Sequence, residues 1–226
     1  MLRFSKGPAP KRVLTDAQTT PNAGWESIGS DDKDPIREAL LRDQGHLCAY
    51  CQRRIRNSGE DMKVEHWRAQ SGGEDALRWR NLLGVCPGDE RKETGAVKGE
   101  RHCDTARGNA PLYLHPVEGE GPNPCDFLAY TTEGKVQTSK EKRARHEKSV
   151  KRDIDSLNLN AERLCRARIE VIEALKQRLE NAQWSAKALR EEYRAASLQP
   201  GAKSMVQCEV VRYHLRRWAR KRDLKL

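Results

Sequence analysis

Aromatic side chains are scarce in this 226-residue chain, at 5% of residues with only two phenylalanines, and the whole apolar set reaches just 36%. With 34% of residues charged, such a composition supports only a modest core, so parts of the chain must be helical arms, polar loops or partner-binding surface. Long hydrophobic runs are also missing. No stretch approaches the roughly 20 apolar residues that span a bilayer, which excludes a transmembrane helix. The opening segment, MLRFSKGPAPKR, lacks the apolar centre of a signal peptide, so a cytoplasmic location without membrane contact is expected. Acidic residues are outnumbered, 33 against 43 Lys and Arg, for a net charge of +10. That excess favours an acidic partner, and nucleic acid is the commonest one. The length suits one moderate domain, or a small domain with an appendage.

Cysteine is plentiful, but its count of seven is odd. Without an export signal a disulfide framework is not expected, and clustered cysteines read better as metal ligands. Cys48, Cys51, Cys86 and Cys103 share the central third; Cys125, Cys165 and Cys208 are isolated. Cys165 and Cys208 lie in helical patterns and read as small buried apolar residues.

Residues 1–33, rich in Pro, Gly, Thr, Ser and Asp, read as an extended arm lying on or beside a folded domain. Asp34-Pro35 gives a helix N-cap and first-turn proline, Ile36, Leu40 and Leu41 fall on one face, and Gly45 is the stop. RRI and MKVEH, around a polar SGED turn, predict two short strands. ALRWRNLLGVC suggests a short helix or turn with Trp79, Leu82 and Leu83 inward. Residues 87–101 read as an exposed insertion, and FLAYTTEGKVQTS predicts a second hairpin turning at Glu133-Gly134. Beyond Asn160, Ile172, Leu175, Leu179, Ala182, Ala186, Leu189 and Tyr193 form a heptad-like seam. Pro200-Gly201 breaks it, and Cys208, Val211, Leu215 and Trp218 continue at helical spacing. Two readings stay open: a helical hairpin sealing its own seam, or a docking arm for another subunit. The division expected is an arm over 1–33, a metal-stapled domain over 34–139 and a helical region over 140–226.

Cys48-Ala-Tyr-Cys51 is a CxxC knuckle whose geometry lets two thiolates bind one zinc ion. Cys86-Pro-Gly resembles the first half of a second knuckle and His102-Cys103 completes it, although sixteen residues rather than two separate the pair. The fourth ligand is therefore Cys103 or its neighbour His102. Four protein ligands leave no open position, so this zinc is structural, holding together a segment too poor in apolar residues to fold alone.

Between the cysteine pairs lie Glu65-His66 at the end of a predicted strand, then Asn81; Asp104 follows Cys103 directly. Phosphodiester hydrolysis needs a base that activates water and a divalent cation that neutralises the charge developing at phosphorus. His66 suits the first task because an imidazole titrates near neutral pH. Glu65 and Asp104 suit the second, because hard oxygen ligands hold Mg²⁺ or Mn²⁺. Asn81 is placed to orient the imidazole or its loop through amide hydrogen bonds.

At these residues the chain resembles the HNH nuclease family, with its CxxC, acidic-His, Asn and Cys-polar elements in order. The resemblance implies an α+β fold: a zinc-stapled ββα-metal (HNH) core with an N-terminal arm and a C-terminal helical hairpin. It assigns His66 as general base, Glu65 and Asp104 as ligands of the catalytic cation, and Asn81 as the central Asn. Glu65 stands where the family usually has Asp, and Ala69 where it often has Pro. The Lys-Gly-Pro-Ala-Pro arm, the hairpin containing Gly134 and Asp153-Ile-Asp-Ser-Leu-Asn-Leu-Asn160 also resemble the PtuB-like proteins of Septu and retron anti-phage systems. That likeness implies a PtuA-like ABC/SMC-type ATPase as partner, and in retron versions a reverse transcriptase with its DNA–RNA hybrid.

The charge is uneven. Val210 to Leu226 holds seven basic residues against Asp223, and Lys140 to Asp153 seven against three. Tyr213 and Trp218 are interleaved with the first group. These patches read as phosphate contacts, or as solvated faces and charge that complements an acidic protein. No motif reads a base or a 2′-hydroxyl, so DNA and RNA both stay open as substrate. Two other functions fit the residues: a zinc-stapled nucleic-acid adaptor without catalysis, and a stand-alone HNH restriction or housekeeping nuclease.

Overall fold

A computed structural model of the chain describes residues 1–19, 24–68, 76–88 and 100–226. It combines helices with two small antiparallel sheets. The helices are α1 (Lys11–Thr19), α2 (Ser30–Asp43), the single-turn α3 (Asp104–Arg107) and α4 (Pro124–Phe127), α5 (Arg143–Ser156), α6 (Glu162–Asn181), α7 (Ala186–Ala195) and α8 (Cys208–Arg220). Strands β1 (Lys63–His66) and β2 (Leu82–Val85) form one pair, and β3 (Leu128–Tyr130) and β4 (Val136–Thr138) the other. No helix among the described residues is long and apolar enough to cross a membrane.

The first ten residues precede any helix, and Met1, Leu2 and Phe4 among them are buried. Leu2 N–H donates to Ala49 O at 2.9 Å, Phe4 N–H to Pro116 O at 3.0 Å, and Lys6 Nζ to Leu82 O at 2.6 Å. The segment thus lies across the CxxC loop and β2. α1 begins at Lys11, so the first 33 residues are not extended throughout. α2 also starts earlier than the Asp34-Pro35 signal suggests, at Ser30. Pro35 sits inside it and forgoes one helical hydrogen bond. Ile36, Leu40 and Leu41 are buried as expected, and Gly45 follows the helix at φ +58.

Strand pairing differs from the sequence reading. β1 pairs not with RRI but with β2, in the register Glu65↔Leu83 and His66↔Leu82. All four β2 residues are buried, and a continuous apolar run contributes more to a core than RRI can. RRI instead closes the CxxC knuckle: Cys48 N–H donates to Arg53 O at 2.9 Å and Ile55 N–H to His46 O at 3.0 Å. The second hairpin forms where expected, with Gly134 at φ +71 in its turn. Asn160 clamps that hairpin, accepting from Val136 N–H at 2.7 Å and donating to Val136 O at 3.0 Å.

The heptad-like seam is two helices rather than one. α6 stops at Asn181, Gln183 and Trp184 take φ values of 51° and 53°, and Ser185 caps α7. The turn places the Trp184 indole edge-on to Trp218, 5.3 Å between ring centroids, with the Arg222 guanidinium 4.0 Å from its own centroid. Ile172, Leu175, Leu179 and Leu189 are all buried, and α6 and α7 both pack against α8. Cys208 is buried as expected, whereas Cys165 is only half-buried. Ala69 and most of the 87–101 insertion lie outside the described residues.

Candidate active site and metal centre

The CxxC knuckle supplies Cys48 and Cys51, the end of β2 leads into Cys86, and Cys103 stands immediately before α3. The gap between the second pair closes at Gly88, whose carbonyl accepts from His102 N–H at 3.1 Å. Gly88 has φ +59, and a Cβ there would meet His102 O at 1.9 Å, so only glycine permits this approach. Cys103 itself takes φ +56 and is held by its N–H bond to Leu157 O at 2.8 Å. The four sulfurs lie within 4.8 Å of one another, all buried. Cys48 Sγ is 3.8 Å from Cys103 Sγ, and Cys51 Sγ 3.7 Å from Cys86 Sγ. A tetrahedral zinc with ~2.3 Å bonds to sulfur has S···S edges of about 3.8 Å. Burial, reinforced by the adjacent sulfurs, pushes the Cys103 thiol well above its usual range, so thiolates here need a cation to compensate them. The four cysteines could therefore hold a zinc ion. His102 flanks the set, with Nδ1 3.2 Å from Cys103 Sγ and 3.9 Å from Cys86 Sγ.

Beside this centre, β1 delivers Glu65 and His66, and α3 delivers Asp104 and Arg107. The Arg107 guanidinium is almost fully buried and pairs with Glu65 Oε1. It also donates to Tyr50 Oη at 3.1 Å, to His66 O at 3.2 Å, to Ala110 O at 2.9 Å and to Trp67 O. Tyr50 Oη in turn lies 3.4 Å from Glu65 Oε1. Burial pushes the Glu65 carboxyl up to about 8, helped by its hydrogen bond to Asp104 and opposed by Arg107. Lys63 Nζ stands 3.6 Å from Asp104 Oδ2. Two carboxyl groups thus meet in a site where burial disfavours the ionised Glu65, a donor set that fits a hard divalent cation.

His66 is buried, with Trp25 edge-on to its ring at 6.1 Å. Burial lowers its pKa, against a hydrogen bond to the Ala76 backbone, so the imidazole is neutral at neutral pH. Asn81 does not face the acids. Its Oδ1 accepts from Arg68 N–H at 2.7 Å, its Nδ2 donates to Arg68 O at 3.2 Å, and its carbonyl takes Trp67 N–H at 2.9 Å. The amide clamps the chain that leaves His66. The structure therefore brings Glu65 and Asp104 together, keeps His66 beside Glu65 on β1 within electrostatic reach of Asp104, and puts the Asn81 amide on the Arg68 backbone. Sequence reasoning missed Arg107 and Tyr50; the one available signal was that Arg107 falls one helical turn after Asp104.

No protein-family model matches the chain. It is similar to the Retron Ec83 putative HNH endonuclease of Escherichia coli, 29% identical over 98 residues, which cover 39% of this chain and 38% of that protein. It is also similar to the Retron Vc95 putative HNH endonuclease of Vibrio cholerae serotype O1 biovar El Tor, 26% identical over 147 residues, 63% of this chain and 66% of the relative. The matches thus span about two fifths and just under two thirds of those curated proteins. By these matches the chain is similar to two proteins named as putative HNH endonucleases of retrons.

Proposed function

We propose that the chain is a metal-dependent HNH endonuclease that hydrolyses phosphodiester bonds of nucleic acid, as the effector of an anti-phage complex. The observation that carries the reading is the meeting of Glu65, Asp104 and Arg107 beside a neutral, buried His66. In this reading β1, β2 and α3 form the ββα-metal core, and the four-cysteine zinc is its structural staple. His66 takes a proton from water as the water oxygen forms the new bond to phosphorus; the bond to the leaving oxygen breaks in line with it. Glu65 and Asp104 would hold Mg²⁺ or Mn²⁺. When bound, that cation supplies neutralisation of charge at the phosphate and the leaving oxygen. Arg107 and Tyr50 occupy Glu65 Oε1 and set the carboxylate's orientation, while Asn81 holds the loop that follows the base. One such site cuts one strand. A PtuA-like ABC/SMC-type ATPase is the proposed partner, with a retron reverse transcriptase and its DNA–RNA hybrid in the same assembly. The helical region over 140–226 is the surface proposed to dock partner or nucleic acid.

His66→Ala tests the reading. Magnesium-dependent cleavage of labelled DNA and RNA should disappear while zinc content and melting temperature hold. Retained cleavage would overturn His66 as the base, and no cleavage by the unaltered protein with its partners present would overturn the nuclease reading in favour of a binding adaptor.

A further inference from the structure

Tyr213, Arg216, Arg217, Arg220 and Lys221 recur on α8 and just past its end at helical spacing and form one stripe. The opposite side of the helix, with Val211, Leu215 and Trp218, is buried. The basic stripe is one wall of an open groove of about 1020 Å³, and the β3–β4 hairpin with Leu128, Gln137 and Lys140 is the other. Five cations line the groove, Lys140 and four from the stripe, against the two carboxylates Asp126 and Glu141. Arg217, Arg220 and Lys221 are exposed, and none is in an ion pair with a described residue. Tyr213 is half-buried, edge-on to Tyr130 at 5.5 Å between centroids.

Arg216 donates to Tyr193 Oη at 3.4 Å, but the exposed cations of the stripe add little to the fold. Arg216 with Arg220, and Arg217 with Lys221, are like-charged pairs one turn apart, which weaken a helix. Favourable interaction with the helix dipole reaches only the last turn. The stripe is also rigidly anchored. Gln207 Nε2 donates to Cys51 O at 2.9 Å, and Glu209 N–H donates to Gln52 Oε1 at 2.9 Å, so the first turn of α8 is fastened to the CxxC loop.

We propose that this groove binds the phosphate backbone of a nucleic-acid strand, with Tyr213 offering its ring to a base. The inference rests on the endonuclease reading above, and places part of that substrate's grip on α8, outside the acid cluster. DNA and RNA share the phosphate that the groove would recognise, so both are probes.

Binding of labelled random-sequence single strands of about 20 nucleotides, one DNA and one RNA, is measured by fluorescence anisotropy. The full zinc-loaded chain is used without added magnesium, from about 50 to about 200 mM salt. Arg217→Glu with Arg220→Glu should weaken binding of at least one probe about tenfold or more at low salt. It should also flatten the salt dependence by roughly 1.4 in logarithmic slope, about 0.7 for each lost phosphate contact to a single strand. Lys135→Glu with Lys187→Glu, the same charge change at exposed sites off the groove, should stay within about threefold. Arg217→Gln with Arg220→Gln should fall between, which guards against loss of fold. Unchanged affinity in the groove variants, or an equal loss in the control, overturns the proposal. So does loss of a co-purifying acidic protein with nucleic-acid binding intact. Since binding is read without magnesium, a chain that binds through the groove yet never cuts defeats the nuclease reading alone. A chain that cuts, with binding untouched by the groove variants, defeats the groove alone.

Discussion

Replacing Arg107 by methionine keeps most of the side-chain volume and deletes the guanidinium that joins α3 to the end of β1. In the structure it serves Glu65, Tyr50 and the carbonyls of His66, Trp67 and Ala110. Glu65 needs little compensation when it is lost. Burial and Asp104 hold that carboxyl up to about 8, so the pair of acids keeps a proton near neutral pH and no lone buried carboxylate is left. The cost falls on the three carbonyls, each losing a charged donor in a dry site at about 1 kcal/mol or more, hence about 3 kcal/mol in total. For a chain of this length each kcal/mol moves the melting temperature by about 2–4 °C, so the expected fall is about 6–12 °C. Thermal unfolding of the zinc-loaded chain without magnesium, followed by circular dichroism, reads it. Arg107→Lys, which keeps the charge but cannot reach all these acceptors, should lie between. Cleavage should drop about 100-fold or more although His66 is untouched, because Glu65 loses its orientation. A methionine variant that melts within about 2 °C of the parent would refute the idea that this guanidinium ties the strand end to α3.

Two further outcomes follow from the cysteine cluster and from a buried histidine on α8. Metal analysis should find zinc bound by the four cysteines, and Cys86→Ser or a strong chelator should abolish the cooperative melting transition, since structural zinc contributes on the order of 10 kcal/mol; a chelated chain that still melts cooperatively counts against the staple. Burial holds His214 down to about 4, and its Nε2 is buried without a hydrogen-bond partner among the described residues. The unfolded chain therefore takes up a proton that the folded chain refuses. The stability His214 lends is present above about 6.5 and is lost as pH falls toward about 4. His214→Phe, which retains the contact with Trp218, should raise the melting temperature and flatten its decline across that window; an identical acid limb in both proteins would dismiss the linkage.

The four cysteines were legible because thiol chemistry and the CxxC spacing constrain so few alternatives. The sixteen-residue gap looked awkward in sequence only because a Gly88–His102 approach is a tertiary event. Strand pairing was not legible for a related reason. RRI and LLGV are both short, and the choice between them as partner for β1 depends on which buries more against α2 and the arm. The interrupted seam had only a weak local marker, the capping Ser185: neither glycine nor proline stands at 182–185, and the apolar phase carries from α6 into α7 across the turn. Arg107 was hidden more deeply. An arginine in DTAR is an ordinary surface residue by composition, and becomes a buried hub only when α3 closes against β1.

One loop joins the parts that sequence reading treated separately. Cys48 and Cys51 contribute half of the sulfur cluster, Tyr50 between them reaches Glu65 and Arg107, and Gln52 receives the first turn of α8. These four residues are buried, so a shift at either cysteine must be accommodated by moving the tyrosine and the glutamine. A zinc ion held by these cysteines would therefore do more than supply missing core. By setting one tight turn it would position the carboxyl that faces Asp104 on one side and the basic groove of α8 on the other. Loss of the metal should then disturb Glu65 and nucleic-acid binding together, although neither touches a sulfur.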